Sequence, residues 1–293
     1  MASKSSKANL LADWLTDRIF RILLAVLLRL SFDRRRDYCG WFVSRIVAPL
    51  AGYRMRIRTN LNLIYPDMPT PEVERMTRAV PDSIGRTLIE IYSGEEFIAR
   101  IANTPLSGPG VDALQEAHAS NRPVLLVTGH IGNYDAIRAA LILRGYRVGG
   151  LYRPMSNRYF NPHYVKAISK IGTPMFARGR KGLAEMIRFL KGGGMVGVVL
   201  DQHMKDGEPL QFIGKEAMTS LSVANMALRY GALVVPTYGL RRADGNFDLI
   251  VEAPIEHGDP IAMTQALNDN LEKQIHSHAD QWLWTHRRWR NLT

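Results

Sequence analysis

The chain has 293 residues, 46% of them hydrophobic, and a formal net charge of +11; it is long enough to bury a substantial core, as one large α/β domain or two small ones. Its single cysteine, Cys39, excludes an intrachain disulfide framework and any zinc site built on a cysteine cluster, fits a reducing compartment and is expected simply to pack. The charge sits at the two ends: residues 1–58 hold 12 Lys/Arg against 4 Asp/Glu, residues 282–293 hold three Arg and no acid, and the stretch between is neutral, a distribution that argues against a nucleic-acid groove and for an anionic membrane surface or an acidic partner.

The first element is a helix from about Ala8 to Phe32. It lacks a small-residue cleavage site after a clean apolar core, which argues against a removed signal peptide. Its longest charge-free run, Ile22 to Leu28, is seven residues, against the roughly 20 that a membrane-spanning helix needs. On a wheel of about 100° per residue, Asp13, Asp17, Arg18, Arg21 and Arg29 share one half, and Trp14, Leu15, Ile19, Leu23, Val26, Leu27 and Leu30 occupy the rest. Two readings remain open: a helix lying in a membrane interface with snorkelling arginines, or an amphipathic helix packed on the protein's own core. The cluster Arg34-Arg35-Arg36 would hold a membrane-bound end on the cytoplasmic face.

Beyond it, periodicity and turn signals place helices at 38–52, 70–101, 110–120, 134–144, 161–171, 180–191, 218–230 and 262–282. Strands fall at 123–128, 147–152, 173–176, 195–200, 233–239 and 247–252. Alternation of this kind implies an α/β fold with a mostly parallel central sheet flanked by helices. No internal repeat and no low-complexity linker interrupts it.

Polar residues gather where strands end. Val-Thr-Gly-His-Ile-Gly-Asn-Tyr-Asp (127–135) sets His130 in a strand-to-helix turn, where ligands collect in open α/β sheets, with Gly129 and Gly132 allowing close approach. A carboxylate on one imidazole nitrogen fixes the tautomer and makes the other a general base; Asp135, five positions along, is the expected partner, with a capping Asp beside a solvated His as the bland alternative. Arg153 follows the second strand, Arg178 and Arg180 follow the third in a glycine-rich turn suited to a phosphate, and Asp201 and Gln202 follow the fourth. Asp201 reads either as a substrate-orienting acid or as a cap for the residues after it. His203, His276 and His278 have no convincing ligand partners.

The block His130-Ile-Gly-Asn-Tyr-Asp135 resembles the His-x4-Asp/Glu signature of glycerolipid and lipid A acyltransferases, and its Gly-Asn-aromatic-acid core resembles the late, secondary lipid A acyltransferases of the lauroyl and myristoyl type. Five further blocks are similar to that family in the same order: Arg58-Thr-Asn-Leu-Asn-Leu-Ile-Tyr-Pro66 followed by a helix carrying Glu90, Tyr152-Arg153-Pro154, Leu200-Asp201-Gln202, Phe212-Ile-Gly214, and Gln281-Trp-Leu-Trp-Thr-His-Arg-Arg-Trp289. The N-terminal segment departs from the family as a poorer membrane span.

The resemblance implies a glycerolipid acyltransferase-like fold with an N-terminal membrane-associated helix (1–37) and a single acyltransferase domain (38–293). It implies transfer of a fatty acyl chain from an acyl carrier protein thioester to a hydroxyl of a lipid A precursor, at the cytoplasmic face of the bacterial inner membrane, without a cofactor, a metal or an enzyme nucleophile. His130 and Asp135 are then catalytic, and Gly132, Asn133, Arg153, Arg178, Arg180, Asp201 and Gln202 bind substrate. Within that group Arg153 and Arg180 face phosphates and backbone amides near Gly132 hold the oxyanion. Arg287, Arg288 and Arg290 either recruit the acidic carrier protein or anchor the C-terminus, with Trp282, Trp284 and Trp289 as interfacial aromatics. Alternatives are O-acylation of another membrane lipid such as a lysophospholipid or a 3-hydroxyacyl aminolipid, a metal-dependent hydrolase using His130, Asp135, Asp201 and His203, and a non-enzymatic membrane-binding protein. Acyl chain length is not written in any one block, because a hydrocarbon ruler is assembled from residues scattered over the fold.

Overall fold

The computed structural model describes residues 7–290 and 292; the first six residues of the expected N-terminal segment lie outside the described residues. Helices α1 (Lys7–Leu27), α2 (Phe32–Phe42), α3 (Ala48–Leu50), α4 (Tyr53–Ile64), α5 (Thr70–Tyr92) and α6 (Glu95–Ile101) come first, with a π-helical turn at Val43–Val47. Strand and helix then alternate as β1 (Leu106–Ser107), α7 (Val111–Ala119), β2 (Val124–Thr128), α8 (Tyr134–Leu143), β3 (Val148–Tyr152), α9 (Asn161–Ile171), β4 (Met175–Ala177), α10 (Arg180–Lys191) and β5 (Met195–Val199). A hairpin of β6 (Glu208–Phe212) and β7 (Lys215–Thr219), then α11 (Ser222–Tyr230), β8 (Leu233–Arg241), β9 (Phe247–Val251) and α12 (Pro260–Ser277) complete the order.

Seven strands form one sheet in the order β1-β9-β8-β2-β5-β3-β4, parallel except where β9 runs against β8. A parallel sheet is covered on both faces, and the fully buried Val-Leu-Leu-Val-Thr of β2 has the near-continuous apolar run this demands. Val124 and Leu126 pack with Ile137, Leu141 and Ile168 of α8 and α9 on one face. Leu125 and Val127 pack with Met186, Val223 and Leu267 of α10, α11 and α12 on the other. A third apolar cluster joins α4, α5 and the hairpin to the C-terminal tryptophans.

The departures from expectation have local causes. Residues 53–64 form a helix where none was expected, because Ile57 and Leu61, one turn apart, bury one stripe among polar neighbours. The expected helix 70–101 breaks at Gly94, whose φ of +50° ends α5 and starts α6. The expected helix 218–230 starts at Ser222, since 215–219 pairs with 208–212 in an antiparallel ladder.

Helix α1 turns part of its charged face inward, while Arg18 and Arg29 stay exposed. Asp17 is fully buried and bonded by Arg21 Nε at 2.8 Å, and Arg21 Nη2 donates to the Tyr159 carbonyl at 3.0 Å. Leu24 and Leu27 join the core, while Leu11, Leu15, Ile19, Ile22 and Val26 form an exposed apolar stripe. The expected basic cluster is largely consumed by the fold: Arg35 is buried against Glu96, Arg36 is buried with Nη1 donating to the Gly245 carbonyl, and Arg34 alone of the three is exposed. The expected boundary at residue 37 falls inside α2. Cys39 is buried, its thiol pushed up to about 12 by burial and then by Asp82 and Glu90.

Candidate active site

The turn after β2 is built by buried polar groups. Gly132 has φ +56°, and a Cβ there would lie 2.2 Å from the Gly239 carbonyl, so only glycine fits. Asn133 caps α8: its side chain accepts the Asp135 amide at 3.0 Å, its own amide donates to Gly239 at 2.8 Å, and its Nδ2 donates to Glu90 at 2.9 Å. Glu90 is fully buried and paired with Arg241, whose Nε donates at 2.9 Å and whose Nη2 also reaches Thr87. Thr87 in turn donates to the Gly132 carbonyl at 2.8 Å. Arg241, a member of this network, carries no signal in the sequence and lies two residues past the strand expected at 233–239, which the structure extends to include it.

His130 Nδ1 donates to Asp201 Oδ1 at 2.7 Å, and the His130 amide donates to Oδ2 at 2.8 Å. Trp282 Nε1 donates to the same Oδ2 at 2.8 Å. The sheet explains the meeting: Thr128 of β2 pairs in register with Val199 of β5, so the residues two beyond each strand end, His130 and Asp201, emerge side by side. Burial disfavours a charge on His130, yet the Asp201 carboxylate outweighs it and raises the imidazole above its ordinary value. Burial likewise opposes the Asp201 charge, but His130, its amide and Trp282 hold the carboxyl down at about 2. Asp201 thus keeps its negative charge and fixes the tautomer, leaving Nε2 as the nitrogen able to take a proton.

The partner of His130 is therefore Asp201, in place of the expected Asp135. Asp135 accepts from Arg138 Nε at 2.7 Å, one helical turn along α8, with both side chains buried. Arg138 is committed further, through Nη1 to the Gly172 carbonyl and Nη2 to the Ile168 carbonyl, each at 2.9 Å.

Two cavities meet at His130. One, of about 290 Å³, runs beneath α8 and α9 and is lined by Asp135, Arg138, Arg153, Arg178 and Gln202 together with apolar side chains of β2, β3, β4 and α9. The other, of about 160 Å³, lies toward α5 and is lined by Ile84, Leu88, Ile91, Gly132 and Leu283 among others. Tyr134 and Tyr164 border both, and the Tyr134 ring stands edge-on to His130 at 5.7 Å between centroids. Arg153 and Arg178 are exposed cations at the first cavity, whereas Arg180 opens α10, is exposed and does not line it.

Three of the backbone amides near Gly132 are already engaged. The amides of His130, Gly132 and Asn133 donate to Asp201, to the Gln281 carbonyl and to the Gly239 carbonyl. Nor is the ligand set of a hydrolase gathered: among the described residues no three His, Cys, Asp or Glu side chains are grouped to hold a metal ion.

The C-terminal block belongs to the site from behind. Trp282, Trp284 and Trp289 are buried, not interfacial, and Trp282 and Trp289 pack on Phe212 with centroids 5.6 and 6.0 Å away. Asn60 of α4 donates to the carbonyls of Trp284 and His286 at 2.7 and 2.9 Å. His286 Nε2 accepts the His203 amide at 3.0 Å, and burial pushes its imidazole down to about 4 against the opposing pull of Asp201. Arg288 is fully buried and donates to the Met218 carbonyl at 2.6 Å and to Thr219, so it anchors the C-terminus; Arg287 and Arg290 are exposed. The blocks scattered through the sequence thus converge behind one histidine.

Comparison with known proteins agrees in extent. The chain is 26% identical over 266 residues to a lipid A biosynthesis palmitoleoyltransferase of Escherichia coli K12, covering 86% of this chain and 84% of that one. It is 26% identical over 246 residues to a lipid A biosynthesis lauroyltransferase of the same organism, covering 80% and 78%. It is 21% identical over 243 residues to a phosphatidylinositol mannoside acyltransferase of Mycobacterium tuberculosis, covering 80% and 76%. Residues 1–291 match the family model for bacterial lipid A biosynthesis acyltransferases, and the chain belongs to that family of enzymes.

Proposed function

We propose that the protein transfers a fatty acyl chain from an acyl carrier protein thioester to a hydroxyl of a lipid A precursor, with His130 as general base and Asp201 as its positioning partner. The observation that carries this reading is the His130–Asp201 pair at the junction of two cavities, in a chain of this family. The acceptor hydroxyl attacks the thioester carbonyl as Nε2 takes its proton. The tetrahedral intermediate then expels the thiolate, which recovers the proton from Nε2, giving an ester and the carrier thiol. Two reactants, a base and fixed orientation suffice, because the thioester is already activated.

Arg153 and Arg178, which line the first cavity, would meet a phosphate, either of the donor's phosphopantetheine or of the acceptor. Arg287 and Arg290 are exposed and suited to an acidic carrier protein. No helix among the described residues is long and apolar enough to cross a membrane. The exposed stripe of α1, with Trp41 and Leu50 nearby in sequence and also exposed, supports attachment by lying on the bilayer at the cytoplasmic face of the inner membrane.

A second acceptor class has a specific reason. The mycobacterial relative is named for a phosphatidylinositol mannoside, so the same machinery on another membrane lipid is the alternative. Mass spectrometry of lipids from a strain lacking this protein separates the two: lipid A lighter by one acyl chain is the expected result, and unchanged lipid A with another lipid altered favours the alternative.

A further inference from the structure

The larger cavity exists because two neighbouring strands lack side chains where it runs. Met195 of β5 and Val148 of β3 belong to the core on the α8/α9 face, whereas Val196 and Val198 belong to the opposite one. Strand alternation therefore turns Gly197 and Gly150 toward α8 and α9. The register aligns Leu126 with Gly197, Gly197 with Gly150, and Gly150 with Met175, one row across β2, β5, β3 and β4. Its two middle positions are glycine, and the row spans three strand spacings, about 14 Å.

The two glycines are not alike in what they permit, and both differ from a packing glycine. A Cβ at Gly149 would strike Phe176 at 2.6 Å, a close-packed position. A Cβ at Gly150 would come within 3.0 Å of the Met175 methyl, the flexible end of a side chain. At Gly197 the nearest atom is the Gly149 carbonyl at 3.7 Å, ordinary contact, and Gly197 keeps partial exposure although β5 is flanked by β2 and β3 in the sheet interior. Room inside a sheet that elsewhere packs tightly is a cavity kept open.

The lining suits hydrocarbon. Leu126, Ile137, Val148, Ile168 and Met175 supply apolar walls. The charged residue overhead, Arg138, has its guanidinium taken by Asp135, Gly172 and Ile168, and its Cδ lies 3.8 Å from where a Gly150 Cβ would stand, so methylene faces the channel.

We propose that Gly197 and Gly150 form the floor of the donor's acyl channel and that Gly197, with Met175 closing the far end of the row, sets the longest chain accepted. The inference rests on the acyl-transfer reading above. The test is Gly197→Ala and Gly197→Val, assayed with carrier-protein thioesters of graded saturated length. A channel floor predicts that the longest chain used by the wild type slows about tenfold or more in Gly197→Val, that shorter chains keep their rates, and that Gly197→Ala falls between. Equal slowing of all chain lengths, or an unchanged preference, overturns it. Displacement of a fluorescent fatty acid by free fatty acids of the same lengths gives a readout independent of turnover. If Gly197→Val selectively weakens the long competitors there while the wild type transfers no acyl group, the channel stands and the transferase reading falls.

Discussion

At the scale of the residue, the chemistry depends on which carboxylate faces His130. With Asp201 on Nδ1, the imidazole is raised above its ordinary value, and the proposed general base works only in its neutral form. kcat/KM is then expected to rise with pH through a value above that of a free imidazole. Replacing Asp201 with Asn removes the group that raises it and leaves burial, which lowers it. The acid limb of the Asp201→Asn profile should therefore move to lower pH while its plateau falls; a limb that stays in place would show that Asp201 does not govern His130. Asp135→Asn should instead act on stability, since it leaves the buried Arg138 cation without its carboxylate, a change that costs about 3–5 kcal/mol. A thermal melt of that variant, with its pH limb unmoved, checks the separation.

His130 was legible because the strand-turn-helix pattern around it is local. Its partner was not. Asp135 is near in sequence, but as the second residue of α8 it meets Arg138, three positions on along the same helix. Asp201 is 71 residues away, and only the pairing of β2 with β5 brings it alongside. The same holds for Glu90 and Arg241, 151 residues apart, and for Gly197 and Gly150, whose adjacency is a fact of strand order.

At the scale of the element, α1 shows how a helical wheel can be right about the faces and silent about which one points in. One of its two readings put the charges at lipid headgroups and the other packed the helix on the core; Asp17 and Arg21 clamp it to the loop before α9, while the stripe of Leu11, Leu15, Ile19, Ile22 and Val26 is left outside. Ile19 and Ile22 are each 65% exposed, so Ile19→Glu with Ile22→Glu removes apolar surface without emptying the core. Sedimentation with anionic vesicles should drop sharply in this double variant while its melting temperature is retained. Unchanged sedimentation would place the attachment elsewhere. The C-terminal block taught the converse lesson. Tryptophan alternating with arginine suggested an interface, yet the large rings fill the space behind Asp201 and Arg288 is bonded inside.

At the scale of the whole molecule, the alternation of strand and helix gave the α/β class and the parallel sheet, because periodicity and turn chemistry are local signals. What it left out was the glycine row that β5 and β3 form side by side. The sheet places His130 at its carboxyl edge, one cavity under α8 and α9 and another toward α5, and blocks far apart in the chain are brought together around that point. The most direct measurement is acyl transfer by the purified protein in vesicles, with an acyl carrier protein thioester and a lipid A precursor, followed by mass spectrometry. The wild type should add one ester-linked acyl chain, and His130→Ala should do so at least about a hundredfold more slowly; a variant as fast as the wild type, or a wild type that adds nothing, would contradict the account.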